Sequence, residues 1–163
     1  MLDKFRLCRY ELTELQFAEN EINDPFASRF VEELEEMVAQ YRTHLSQENF
    51  ESFIHLCLKT VTLQMEKAVL QKHFTQFGAL QWEKDLRVIV AYFSSLSQRS
   101  IRTEFARLTQ MASLLNLESV AEAKEYWEES SGQVTWRLAP SEVHRILSRR
   151  KDFSGEEIAS LKL

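Results

Sequence analysis

The stretch IRTEFARLTQMASLLN, residues 101–116, carries the pattern that decides the fold of this chain. Its main apolar residues recur at steps of four, three, four and three, a spacing that places side chains on one face of an α-helix. They are Ile101, Phe105, Leu108, Ala112 and Leu115. The pattern predicts an amphipathic helix from about Arg99 to Asn116 that anchors the C-terminal part of the chain.

The rest of the sequence favours the same kind of structure. The chain has three glycines and two prolines in 163 residues, and these are the residues that hairpins and tight turns depend on. We therefore predict an all-α fold of elongated helical bundles. A three-helix-type bundle over residues 1–97 is followed by a small C-terminal helical bundle over residues 98–163.

Three helices are predicted before this stretch. Residues 1–22 indicate a frayed helix or the remnant of a longer one. Asp24 as N-cap and Pro25 at the first helical position predict a helix that runs to about Leu45. A second helix follows to about Gln76, with Gly78 as its stop. The third, from about Leu80 to Leu96, is apolar almost all round, which is typical of the middle of a bundle.

Three shorter helices are predicted after it. Ser119 and Glu122 have the spacing of a capping box for a helix that ends near Glu129. Pro140 opens a helix to about Arg150, and a second capping box at Ser154 opens a terminal helix with Ile158 and Leu161 inward. Ala139 precedes Pro140 where a hydroxyl residue would cap better, so this start should be weak.

Charge and composition exclude several classes of protein. The net charge is −5, and residues 11–51 hold eleven Asp and Glu against Arg29 and Arg42, which disfavours broad nucleic-acid binding. Apolar runs such as Val88 to Phe93 are far shorter than the roughly 20 residues that span a bilayer. Cys8 and Cys57 have no motif spacing, which favours a reducing compartment. We expect a cytosolic chain unless a partner holds it on a membrane.

No pattern indicates catalysis. The four histidines have no spacing typical of a metal site, and G-x-S-x-G, a phosphate-binding loop and C-x-x-C are absent from the sequence. We therefore predict a protein that is not an enzyme and needs no cofactor or metal.

Two features are candidates for contact with a partner. Trp136 lies in an extended-looking connector, Val134 to Leu138, where an aromatic anchor could be exposed. Arg145, Arg149, Arg150 and Lys151 form a basic cluster at a helix C-terminus, where cations also complement the helix dipole. Such a cluster could face anionic lipid or phosphate. A helix-turn-helix is disfavoured by the long spacer from Ser130 to Ala139.

Arg107 and Glu142 are predicted to form a salt bridge between two helices. Each lies beside the apolar stripe of its helix, where the stem is packed and the charged group needs a partner. The alternative is two local surface pairs, Glu104 with Arg107 and Glu142 with Arg145.

Several segments together resemble one known family. They are Phe105 to Ala112, Leu115 to Glu118, Tyr126-Trp127, Thr135 to Leu138, Pro140, Glu142-Val143 and Asp152-Phe153, with weaker likeness back to Asn23-Asp24-Pro25. They resemble the C-terminal end of subunit 4 of the conserved oligomeric Golgi complex, a multisubunit helical-bundle tether. The resemblance implies a subunit fragment without the long N-terminal portion through which such a subunit would join its complex.

The resemblance also implies a function in intra-Golgi retrograde vesicle transport. The expected partners are other subunits and SNARE proteins, with peripheral Golgi association on the cytosolic side and no nucleic acid. Trp136, Arg137, Arg145, Arg149 and Arg150 form the candidate partner surface. The competing hypothesis is a phosphate-facing module that binds anionic lipid or nucleic acid through the Arg145 to Lys151 cluster, and binding of this kind should weaken steeply with salt.

Overall fold

The computed structural model describes residues 2–23, 26–133 and 136–163, and the side chains within these ranges from Phe5 onward. The predicted all-α fold is confirmed, since the described residues form helices and no β-strand. The predicted N-cap Asp24 and Pro25, and Val134 and Thr135 of the connector, lie outside the described residues. The helices are α1 Leu2–Leu7, α2 Glu14–Asn23, α3 Ala27–Arg42, α4 Gln47–Val69, α5 Gln76–Leu96, α6 Arg102–Leu115, α7 Val120–Ser130, α8 Pro140–Leu147 and α9 Gly155–Ser160.

Helices α3, α4, α5 and α6 enclose the core, with α6 packed on both α4 and α5. The predicted stripe of α6 is buried at Ile101, Phe105, Leu108, Ala112 and Leu115. The prediction that α5 lies in the middle of a bundle, buried on almost every side, was wrong. Leu80 and Val88 on one of its faces are 41% and 36% accessible, since none of the described helices covers them.

The N-terminal segment is packed against this core rather than frayed, so that prediction was wrong. Phe5 lies 5.2 Å from the ring of Trp82, and Tyr10 stacks on Phe74 at 5.3 Å. Phe5, Tyr10 and Phe74 are all nearly inaccessible to solvent. Sequence periodicity missed this segment because α1 is too short to show a repeating pattern.

Gly78 does not end a helix, contrary to the prediction. Helix α4 ends at Val69, and Gly78 lies in the first turn of α5, where its N–H donates to the Thr75 hydroxyl at 3.2 Å. A Cβ at this position would lie 1.6 Å from the carbonyl oxygen of Tyr10. Glycine is therefore required by the close approach of two backbones and not by a helix stop.

Three distant segments meet in a short arrangement that we call the three-segment ladder, formed by Tyr10, Phe74 and Arg150. The N–H of Thr75 donates to the carbonyl of Tyr10 at 3.1 Å. On the other side, the N–H of Phe74 donates to the carbonyl of Arg149 at 2.8 Å, and that of Lys151 to the carbonyl of Phe74 at 2.9 Å. The ladder joins the N-terminal and C-terminal segments through the turn between α4 and α5.

The predicted boundary between residues 97 and 98 stays a prediction, although contacts cross it. The rings of Phe93 and Phe105 lie 6.0 Å apart, and the buried apolar residues from Phe5 to Ile158 form one cluster. Within the described ranges, no helix is both long and apolar enough to traverse a bilayer.

Candidate functional site

Arg107 is the centre of a polar contact between helices, which we call the Arg107 cluster: Arg107, Glu66, Glu142 and the backbone of Arg137. From α6, the Nε of Arg107 donates to Glu66 Oε2 of α4 at 2.9 Å, and its Nη2 to Glu142 Oε1 of α8 at 2.7 Å. Its Nη1 donates to the backbone carbonyl of Arg137 at 2.7 Å. One guanidinium thus connects α4, α6, α8 and the connector before α8.

The structure brings Arg107 and Glu142 together across two helices rather than in local pairs. Glu104, the local alternative for Arg107, instead lies 3.3 Å from Nδ1 of His55. The hydrogen bond that Arg107 donates to Glu142 raises the pKa of Arg107 above its usual range, and the one to Glu66 acts in the same direction. The side chain of Arg107 is 34% accessible, so the cluster is partly hydrated.

Glu142 also supports the start of α8. Its Oε2 accepts the backbone N–H of Ala139 at 2.9 Å, which is the reciprocal half of a capping box. Ala139 itself makes no side-chain cap. The hydrogen bond from Arg107 is the main cause that lowers the pKa of Glu142, and the N–H of Ala139 adds to it. The carboxylate of Glu142 therefore stabilises the N-terminus of α8 and also forms the salt bridge with Arg107.

Glu66 is the member of the cluster that sequence reasoning missed. It follows the buried Met65 on α4, and its side chain is 17% accessible. Acidic residues beside an apolar stripe are common on helices, and nothing in the local sequence separates Glu66 from them. Glu66 is placed beside Arg107 only by the packing of α4 against α6.

The basic cluster predicted at Arg145 to Lys151 does not form one surface. Arg150 is 3% accessible, so its assignment to the candidate partner surface was wrong. Its guanidinium donates to Asp152 at 2.8 and 2.6 Å, to the carbonyl of Leu117 at 3.1 Å and to the carbonyl of Leu115. The chain turns this side chain inward because the neighbouring backbone is fixed in the three-segment ladder. Arg150 thereby donates a hydrogen bond to the carbonyl of Leu115, the last residue of α6, where carbonyls lack a partner within the helix.

The other cations of that cluster separate. Arg145 is exposed on α8, and Lys151 pairs with Glu11 near the N-terminal segment. This hydrogen bond lowers the pKa of Glu11. Arg149 is half-buried, and its Nη2 donates to the hydroxyl of Ser148 at 3.1 Å.

Trp136 is half-buried in an aromatic group with Tyr126 and Trp127. Its ring lies edge-on to that of Trp127 at 5.4 Å and to that of Tyr126 at 5.7 Å. Its Nε1 donates to the carbonyl of Leu138 at 2.6 Å. The adjacent Arg137 is exposed, and its N–H donates to Gln110 Oε1 at 3.0 Å. Trp136 therefore holds the connector against α7, while Arg137 extends from it.

Side chains for metal binding are not assembled in the described part of the chain. It contains no group of three or more His, Cys, Asp or Glu side chains placed to hold a metal ion. Cys8 and Cys57 are free, and burial raises the pKa of both thiols. These thiols are poor nucleophiles at neutral pH.

Comparisons with known proteins point to one family. A family model described as conserved oligomeric Golgi complex subunit 4, C-terminal, matches residues 1–145. The subunit of that name from Arabidopsis thaliana is 45% identical over 163 residues, which cover 100% of this chain and 22% of the relative. The Homo sapiens protein is 39% identical over 162 residues, 99% of this chain and 21% of the relative. The chain thus spans about a fifth of the length of these relatives.

Proposed function

Because the chain belongs to the family of the C-terminal region of conserved oligomeric Golgi complex subunit 4, we propose that it serves as that part of a vesicle-tethering complex. In this role it acts in intra-Golgi retrograde transport through contacts with other proteins. The family is one of complex subunits and not of enzymes. The observation that carries the proposal is the match to relatives along the length of this chain.

The proposed partners are other subunits of the complex and SNARE proteins. The proposed location is the cytosolic side of Golgi membranes, where the chain is peripheral and held by its partners. A helical bundle with a continuous apolar core supports this role, because it offers a rigid surface for other proteins. Since the chain corresponds to about a fifth of its relatives, these functions concern a whole subunit of which this region is one part.

We place the proposed partner surface around the Arg107 cluster. Arg137 and Arg145 are exposed, Trp136 and Arg149 are half-buried, and Arg150 is excluded by its burial. Arg137 and Arg145 both adjoin the Arg107 cluster, since Arg107 donates to the carbonyl of Arg137 and the charge of Arg145 acts on Glu142. The hydrogen bonds of the Arg107 cluster hold the backbone of Arg137 and the helix that carries Arg145 in place. Exposed arginines at fixed positions favour specific binding.

The test is a replacement in cells that lack subunit 4. A relative whose C-terminal region is exchanged for this chain should restore retrograde Golgi transport and coprecipitate other subunits. A double variant, Arg137→Glu with Arg145→Glu, should lose a bound partner, while Arg29→Glu on α3 should not. Failure of the unmodified exchange to restore transport, with the protein folded and expressed, would overturn the proposal.

The phosphate-facing hypothesis is not supported in the form in which the sequence suggested it. Arg150 is buried and Lys151 pairs with Glu11, so two of its four cations are engaged within the protein. Arg145 and Arg149 alone make a weak phosphate site.

A further inference from the structure

A different basic surface forms where the three-segment ladder meets the N-terminal segment. A cavity of about 620 Å³ lies there between residues 6–12 and the turn that follows α4. Among the described residues that line it are Arg6, Arg9, Lys72 and His73, and Glu11 is the acid among them. We call this surface the basic cleft. Because its residues come from separate parts of the sequence, no local charge run indicated it.

The geometry of the ladder explains why Arg9 and His73 face outward. Tyr10, Phe74 and Arg150 are buried at 2%, 0% and 3% accessibility. In an extended backbone, successive side chains point to opposite sides. The preceding residues Arg9 and His73 are accordingly exposed. The ladder thus sets Arg9 and His73 on the outer side, whereas Arg149 lies in the turn after α8 and is half-buried.

The acid of the cleft is already neutralised. Glu11 accepts from Lys151, so this pair contributes no net charge, and the charges of His73 and Arg9 also act on Glu11. Lys72 is directed inward, where its Nζ donates to the carbonyls of Arg6 and Cys8 at 3.0 and 2.6 Å. Its charge adds to the positive potential without being available for direct contact. Arg9, which is exposed, is therefore the arginine of the cleft best placed for contact with an external anion. The guanidinium of Arg149 is instead engaged by the carbonyl of Leu70 at 3.4 Å and by the hydroxyl of Ser148 at 3.1 Å.

An exposed leucine accompanies these cations. Leu7 lines the same cavity and is 81% accessible. An exposed apolar side chain beside arginines matches the interface of a bilayer, where the apolar group enters the acyl boundary and the cations contact headgroup phosphates. A soluble phosphate compound would satisfy the cations but would leave Leu7 in water.

We infer that the basic cleft docks on an anionic lipid bilayer, with Leu7 inserted and Arg9 on a lipid phosphate. This goes beyond the proposed function, in which partners alone hold the chain at the membrane. The area of contact is small, so binding by this surface is weak and reversible. Its role would be to orient the chain on a membrane that other proteins have already captured.

The test is cosedimentation of the 163-residue chain with lipid vesicles and no other protein. Vesicles in which roughly one lipid in three is phosphatidylserine should bind the chain at low salt, and phosphatidylcholine vesicles should not. Arg9→Ala should weaken binding about fivefold, the effect of one cation near a charged surface. Leu7→Ser should weaken it comparably. Arg29→Ala on α3 and Ile22→Ser on α2 are matched controls at exposed positions and should bind like the unmodified chain.

Thermal melts of each variant must first show an intact fold. Absence of binding to the anionic vesicles at low salt would overturn the inference. Equal losses of vesicle binding in Arg9→Ala and Arg29→Ala would overturn it too. They would indicate a general electrostatic attraction of the chain to the vesicles and no defined binding site. Binding to inorganic phosphate or duplex RNA that is unaffected by Leu7→Ser would identify a phosphate site instead of a bilayer surface. Because no partner protein is present, these outcomes are independent of the cell-based test above.

Discussion

Arg107 concentrates contacts from four parts of the chain on a single side chain. Replacing it with alanine leaves the carboxylates of Glu66 and Glu142 close together without a cation, and it removes the donor to the carbonyl of Arg137. Because Arg107 is about one third accessible, water compensates part of this loss. We expect the free energy of unfolding to fall by about 1–3 kcal/mol, and Tm by roughly 5 °C.

Arg102→Ala is the matched control for this prediction. Arg102 is exposed in the first turn of the same helix, so its loss should change Tm by less than about 1–2 °C. Chemical denaturation and thermal melts give both values. Equal stability of Arg107→Ala and the unmodified chain would show that the cluster contributes nothing to the fold.

Gly78 allows the N-terminal segment to pack against α5 because glycine has no side chain. In Gly78→Ala the new Cβ would lie 1.6 Å from the oxygen of Tyr10, and no real structure tolerates such a distance. Either α5 or the N-terminal segment must move, which releases the packing of Phe5 and Tyr10 on Trp82. We expect a loss of at least about 2 kcal/mol in the free energy of unfolding.

Gly155→Ala is the control, since a Cβ there meets nothing within 4 Å. It lies in the first turn of α9, where alanine should be neutral or stabilising by up to about 1 kcal/mol. Hydrogen exchange sharpens the comparison, because Gly78→Ala should expose the N–H of Thr75, which donates to Tyr10. Retained protection at Thr75 would contradict the assigned role of Gly78.

At the scale of elements, the start of α8 depends on the charge of Glu142. Its pKa is lowered in the folded chain, mainly by the hydrogen bond from Arg107. A carboxyl with a lowered folded pKa stabilises the fold at pH values above its unfolded pKa of about 4.3, and this contribution is lost as pH falls through the folded pKa. We therefore expect stability to fall in acid, and Glu142→Gln should reduce that dependence.

The measurement is Tm at neutral pH and at several values down to about pH 3. Because the side chain of Glu142 is 37% accessible, the difference in pH dependence should amount to some tenths of a kcal/mol, up to about 1 kcal/mol. Lowered pKa values at Glu51 and Asp152 will leave some dependence in the variant. Parallel pH profiles for the two proteins would exclude Glu142 as a contributor. Glu128→Gln, on the exposed surface of α7, is the control.

Helices with a long repeating pattern could be predicted from the sequence, whereas their ends often could not. The stripe of α6 and the cap of α9, where Ser154 accepts the N–H of Glu157, were both predicted and are present. Helix α4 ends before the predicted position because residues 71–75 form a turn that pairs with distant backbone. Tertiary hydrogen bonds of this kind leave no local pattern.

For the molecule as a whole, contacts across the predicted boundary favour cooperative unfolding. Helix α6 packs on α4 and α5, Arg107 reaches Glu66, and Arg150 is held next to Phe74. We expect a single transition in calorimetry, with equal calorimetric and van't Hoff enthalpies. The separate fragment of residues 98–163 should lack a cooperative transition. Two resolved transitions would instead favour two independent bundles.

The candidate site could be predicted in part at this scale. Arg107 and Glu142 were identifiable because each lies beside an apolar stripe and carries a charge that needs a partner. Glu66 and the inward turn of Arg150 depend on how helices and segments pack, which composition and periodicity do not contain. The basic cleft escaped prediction for the same reason, since Arg9 and His73 line one cavity only in the folded chain.

The three-segment ladder also determines the order in which its segments can pair while the chain is being synthesised. Phe74 can pair with Tyr10 as soon as the ribosome has released both, but its other edge waits until residues 149–151 have emerged. Until then the nascent chain exposes an unfinished backbone edge beside a large aromatic group. A chaperone that covers this edge during translation would protect the nascent chain until residues 149–151 complete the ladder.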